Sequence, residues 1–76
     1  MFFQNIFSER LRTLRKAKNL TLEQLAKEFN SSKGTFANLE NCKKNPSLEM
    51  VIAISNYFNV STDYLLGLTD NPKRPK

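Results

Sequence analysis

The stretch TLEQLAKEFNSSKGTFANLEN, Thr21 to Asn41, decides how the rest of the chain is to be read. Thr21 is a good N-cap, Gln24 stands at the third helical position of a capping box, and Leu20 and Leu25 are spaced as a hydrophobic staple. Leu25, Ala26 and Phe29 give this helix an inner face, and small Ala26 lets a neighbour come close. Asn30 tolerates the left-handed conformation of a sharp turn, and Ser31–Ser32 offers the next N-cap. A second helix is predicted over 33–40, with Phe36 and Leu39 facing inward. Its other positions, Lys33, Gly34, Thr35, Ala37, Asn38 and the following Asn41, are small or hydrogen-bonding. A solvent face serving solubility alone favours Glu and Lys, and Gly34 costs about 1 kcal/mol of helix propensity relative to Ala. A weak helix with a compact polar exterior suits close approach to another surface.

Working outward, Phe3, Phe7, Leu11 and Leu14 form one helical stripe before this unit. Asn5 or Ser8 is the expected cap of that first helix, and Lys18–Asn19 its end. Residues 1–7 are thus either an apolar extension or the start of the helix, and Phe2 with Ile6 makes a second apolar strip. Arg10, Arg12, Arg15, Lys16 and Lys18 lie between the stripes and complement the helix's negative end. After 41 comes a loop, NCKKNP, then a helix starting at Ser47 with Leu48, Val51, Ile54 and Phe58 expected on its core face and Ile52 beside them. Asn59–Val60 is a turn. Ser61 caps a last helix with Tyr64, Leu65 and Leu66, stopped by Gly67. The segment 68–76 is expected to be a disordered basic tail. No repeat or strand pattern occurs, so the fold is all-α, with five short helices around one core in a domain spanning 8–67.

Composition removes whole classes of function. A single cysteine, Cys42, excludes an internal disulfide and a Cys-rich metal site, and histidine is absent. No phosphate-binding glycine loop or nucleophile beside a base occurs, so neither enzymatic activity nor a cofactor or metal is expected. No apolar run reaches the roughly 18 residues of a membrane span, and the N-terminus lacks the basic start and cleavage site of a leader. A cytoplasmic protein is expected. Residues 8–46 carry nine Lys/Arg against four Glu, whereas 47–66 hold no base and two acids, Glu49 and Asp63. A basic half and a faintly acidic half suit a polyanion on one side only.

Two helices joined by a tight turn let the second project while the first braces it against a phosphate backbone. Placed in a DNA major groove, the 33–40 helix offers Asn38 for paired hydrogen bonds to adenine and Thr35 for a methyl and a hydroxyl. Thr21 and Ser32 sit at helix N-termini, where free N–H groups attract phosphate. Lys33 and Lys43–Lys44 straddle the groove.

Residues 8–66 resemble the Cro/repressor-type helix-turn-helix, or XRE, family. The likeness rests on Leu11, Leu14 and Arg15, on LTLEQLAKEF (20–29), on Phe36, Leu39 and Glu40, on Asn45-Pro46-Ser47-Leu48, and on VSTDYLLG (60–67). It implies a five-helix lambda-repressor-like domain that binds operator DNA as a symmetric dimer, and a transcriptional regulator, expected to be a repressor. It also implies that Arg15 and Glu40 form a partly buried ion pair aiming the recognition helix. The DNA-contacting set is then Thr21, Ser32, Lys33, Gly34, Thr35, Asn38, Asn41, Lys43 and Lys44. Three positions depart from the family pattern. Leu22 stands where a phosphate-gripping glutamine is common, Asn30 replaces the turn glycine, and Cys42 replaces the glycine after the third helix. If a positive φ is still required after that helix, Asn41 is expected to adopt it, with Cys42 packed or half-exposed rather than reactive. Gly34 lies where many members carry a base-reading side chain. An antitoxin-like component or protein-interaction module on the same fold is the alternative, using Phe2, Phe3, Ile6, Tyr57, Tyr64 and Leu68. Helix 5 or the apolar N-terminus is the expected dimer surface. No sensor segment follows helix 5 in these 76 residues, so no small-molecule effector is expected within the chain.

Overall fold

The computed structural model describes residues 4–74. Five helices follow in order: α1 (Gln4–Ala17), α2 (Leu22–Glu28), α3 (Lys33–Glu40), α4 (Leu48–Phe58) and α5 (Thr62–Leu66). Among the described residues there is no strand. Phe2 and Phe3, invoked for the first stripe and the N-terminal surface, lie outside the described residues, as do Pro75 and Lys76.

Hydroxyl caps open four of the helices. Thr21, Ser32, Ser47 and Ser61 each accept a bond from the backbone N–H three residues on. At Thr21 the full capping box closes, with the Thr21 N–H donating to Gln24 Oε1 at 2.9 Å. Asn5 and Ser8, expected as caps of α1, instead lie inside it. Ser8 is buried and donates to the Leu39 carbonyl, tying α1 to α3.

All five helices end the same way. Asn19, Asn30, Cys42, Asn59 and Gly67 take left-handed conformations, and the next N–H returns to a carbonyl five residues earlier: Leu20 to Arg15, Ser31 to Ala26, Lys43 to Asn38, Val60 to Ser55, Leu68 to Asp63. This is the Schellman closure, in which the left-handed residue satisfies carbonyls that the helix leaves bare. It corrects the expectation for α3. Asn41 is the cap, at φ −102°, while Cys42 carries the positive φ of 61°. As at Phe29–Asn30 after α2, the left-handed residue stands one place beyond the cap, whatever its side chain. Gly67 is constrained further, because a Cβ there would come within 3.0 Å of Ile6 Cδ1. Ile6, part of the proposed second strip, therefore packs under the end of α5.

The core is Phe7, Leu11, Leu25, Ala26, Phe36, Leu39, Val51, Ile54, Phe58, Val60 and Leu65. Phe29 stacks on Phe36 at 5.4 Å between centroids and meets Tyr57 edge-on, joining α2, α3 and α4. Two expected core positions are not in it: Leu48 is 75% exposed and its neighbour Ile52 45%. The buried register of α4 is Val51, Ile54, Ser55 and Phe58. At 100° per residue, Ile52 lies about 100° and Leu48 about 60° round from Val51, toward an exposed shoulder of the helix.

Residues 68–74, part of the segment expected to be a disordered basic tail, make specific contacts with α1, α4 and the start of α5. Arg10 donates to the carbonyls of Tyr64 and Thr69, the latter at 2.6 Å, and pairs with Asp70 at 2.8 Å. The Ser61 N–H bonds the Pro72 carbonyl, and Arg74 reaches Asn56 Oδ1. Past Leu68 the segment is held by backbone carbonyls, Asp70 and the guanidiniums of Arg10 and Arg74, contacts that hydropathy patterning does not register.

Candidate nucleic-acid interface

Outward from α3 point Lys33, Gly34 and Asn38, all exposed, with Thr35 half-buried beside them. The face is flat. A Cβ built on Gly34 would meet only Ser32 Oγ, at 3.9 Å. Ser32 and Thr35 are first occupied with each other. Ser32 Oγ accepts the Thr35 N–H at 3.1 Å and lies 2.9 Å from Thr35 Oγ1. Thr21 Oγ1 is likewise engaged, accepting from the Gln24 N–H. Lys43 and Lys44 follow α3 on an exposed turn, and Asn41, also exposed, closes the helix. Leu22, standing where a glutamine is common, packs against the core.

The orientation of α3 is fixed from α1. Arg15 grips Glu40 with two parallel bonds, Nε to Oε2 at 2.7 Å and Nη2 to Oε1 at 3.0 Å, while Nη1 holds the Leu20 carbonyl at 2.8 Å. Glu40's side chain is 3% exposed and Arg15's 13%. Such a fork-to-fork pair combines charge with a defined plane. The hydrogen bond to Glu40 holds the Arg15 guanidinium above its ordinary pKa, and desolvation works against that rise without reversing it. Buried charge without partners is costly, and among the described residues no buried side-chain polar atom lacks a hydrogen bond.

A second arginine shares the site. Arg12 Nε lies 3.4 Å from Glu40 Oε1, and its Nη2 donates to the Glu40 carbonyl at 2.9 Å and to Asn41 Oδ1 at 3.3 Å. Sequence reasoning passed over Arg12. Its spacing of three from Arg15, which puts both on one side of α1, was the available signal. The arginines of α1 are thus engaged inside the protein, and the outward cations near α3 are lysines. Lys18 sits over the Tyr57 ring at 4.8 Å, and Arg10 over Tyr64 at 4.2 Å. Both tyrosines, considered for a partner surface, are packed against the core, whereas Leu68 is 67% exposed.

A capped helix, a left-handed turn at Asn30 and a second capped helix with a polar outer face define a helix-turn-helix domain. The family model described as helix-turn-helix matches residues 11–65, and the chain belongs to that family. It is 42% identical over 67 residues to the HTH-type transcriptional regulator YobD of Bacillus subtilis, covering 88% of this chain and 60% of that protein. It is also 42% identical over 61 residues to the HTH-type transcriptional activator BcrR of Enterococcus faecalis, covering 80% of this chain and 30% of that one. The chain therefore spans only part of the curated relatives it matches. Among solved structures, it superposes on the SOS-response transcriptional repressor LexA of Eubacterium rectale with a TM-score of 0.78 and 28% identity, over 83% of this chain and 67% of that one. The restriction-modification controller protein C.AhdI of Aeromonas hydrophila gives 0.72 and 27%, over 82% and 90%. These two support the lambda-repressor-like arrangement of the five helices.

Proposed function

We propose that this chain is a sequence-specific double-stranded DNA-binding transcriptional regulator that lays α3 in the major groove. The observation that carries the reading is the outer face of α3, compact, polar and free of acid, on a helix aimed by a buried ion pair at Glu40. Lys33, Thr35 and Asn38 read bases, and Gly34 lets the backbone approach the groove floor. Thr21, Ser32, Asn41, Lys43 and Lys44 meet phosphates. With Gly34 offering no side chain and Leu22 turned to the core, few groups read sequence, so affinity leans on lysines and falls steeply with salt. Repression requires only that the protein occupy a site overlapping a promoter, and is the proposed action.

The functional unit is a homodimer. Its surface is the exposed shoulder of α4, where Leu48 joins Asn45, Pro46, Val51 and Leu66 in lining a groove of about 350 Å³ and Ile52 is also exposed. A protruding leucine next to an apolar groove is self-complementary, as a two-fold interface requires. The acid-leaning segment 47–66 gives this side no attraction for DNA.

Selection of bound duplexes from a random pool tests both statements. A palindromic product with adenines that lose preference in Asn38→Ala is expected. Absence of any duplex binding near 50 mM salt would favour the protein-interaction module. Leu48→Glu is expected to yield a monomer by sedimentation with the melting temperature nearly unchanged.

A further inference from the structure

We infer that Arg12 is a positioning residue for DNA recognition, acting through the C-terminal end of α3 and through Asn41; the inference rests on the DNA-binding reading. α3 has no basic residue in its own last turn, so the negative end of its dipole lacks the cation that helices commonly place there. Arg12 supplies it from α1, with Nη2 on the Glu40 carbonyl at 2.9 Å and Nε against Glu40 Oε1 at 3.4 Å. The helix carries Gly34, Thr35 and Asn38, all poor helix formers, so its last turn depends on such outside support.

The same guanidinium sets Asn41. A guanidinium has only donors, so the Asn41 atom that faces Arg12 at 3.3 Å must be the carbonyl oxygen. The Asn41 NH2, on the other branch of the amide, is thereby left as a pure donor on an exposed residue, the polarity that a phosphate oxygen accepts. Arg15 does not duplicate this role, because its fork is filled by the two carboxylate oxygens and the Leu20 carbonyl. Arg12, with its side chain 42% exposed, is the adjustable link between α1 and the reading helix.

The test is a salt titration of duplex binding by the wild type and by Arg12→Ala, Arg12→Lys and Asn41→Ala, using the sequence selected by the wild type. Arg12→Ala should bind about tenfold more weakly, the size of one lost charged hydrogen bond, with the slope of log K against log salt unchanged. A slope lowered by about 0.9 would instead make Arg12 itself a phosphate contact and overturn the inference. Arg12→Lys keeps the charge but not the three-point geometry, so full affinity in that variant would also overturn it. Asn41→Ala should weaken binding, and adding Arg12→Ala to it should cost less than Arg12→Ala alone. Amide hydrogen exchange gives a reading without DNA: the last turn of α3 should exchange faster in Arg12→Ala, and unchanged exchange would count against the coupling. A wild type that shifts no duplex at low salt overturns the DNA reading and this inference together. A wild type that binds while Arg12→Ala binds equally overturns the inference alone.

Discussion

α3 and α4 are neighbours of similar length held by opposite means. α4 is apolar and contributes Val51, Ile54 and Phe58 to the core, so burial alone would keep it in place. α3 contributes Phe36 and Leu39, but three of its eight residues, Gly34, Thr35 and Asn38, are poor helix formers, and its end is set by Glu40 between Arg15 and Arg12. A helix aimed by directional charged bonds has a defined angle even where its own propensity is weak. One placed by apolar packing tolerates exposed residues such as Leu48 and Ile52 on its free side. The element that presents chemistry is the one whose orientation is specified residue by residue.

The sharpest way to break this contrast is Glu40→Gln. It leaves two arginines facing a neutral amide and should cost about 3–5 kcal/mol in chemical denaturation, with loss of duplex binding. An unchanged melting temperature would show that the pair does not hold α3. Because the Arg15 pKa is raised, its own stabilisation is complete at every pH below its unfolded value and declines only in strong base. Stability carried by Arg15 should therefore be flat from pH 6 to 9. Next in size is Ile54→Ala, a cavity in the apolar anchor of α4 costing about 2–4 kcal/mol. In this variant, under conditions where it stays folded, duplex affinity should persist, since α4 does not aim α3.

A smaller effect of opposite sign is expected at Cys42. A side chain in the left-handed region costs about 1–2 kcal/mol, partly offset here by Sγ contacts to Asn5 Oδ1 at 3.1 Å and Ser8 Oγ at 3.3 Å. Cys42→Gly should raise stability by about 1 kcal/mol, and Cys42→Val should lower it. Smallest is Gly34→Ala. With only Ser32 Oγ near the new methyl, it should add about 0.5–1 kcal/mol while weakening duplex binding. A stabilised variant with undiminished binding would show that Gly34 is not where the groove comes closest.

Much of this was legible in the chain because helix ends are written locally. Thr21 with Gln24, Asn30 before Ser32, and Gly67 after Leu66 announce themselves within three or four residues, and the structure places caps and turns there. Leu25, Phe36, Leu39 and Leu65 fell on the buried side because their period matches a helix. What periodicity could not supply was which side of α4 remains uncovered, since Leu48 and Ile52 are as apolar as the residues beside them. The contacts of the tail were hidden for a related reason: Arg10 recognises the Thr69 carbonyl, and every residue has a carbonyl. Arg12 was hidden by its likeness to the other cations of α1, which differ only in what the fold brings within reach.

The repeated left-handed closures also bear on how quickly the chain finds its shape. Each helix boundary is specified by its own neighbourhood, with hydroxyls at the starts of four helices and Asn, Cys or Gly past the ends of all five. The unfolded chain need not discover these limits through distant contacts, and the remaining search is the docking of preformed segments. Such a chain should refold in a single phase on the microsecond-to-millisecond scale of helical domains rich in local contacts. Replacing Asn30 by a β-branched residue should slow that step, by making the corner between the two helices of the motif the last to form.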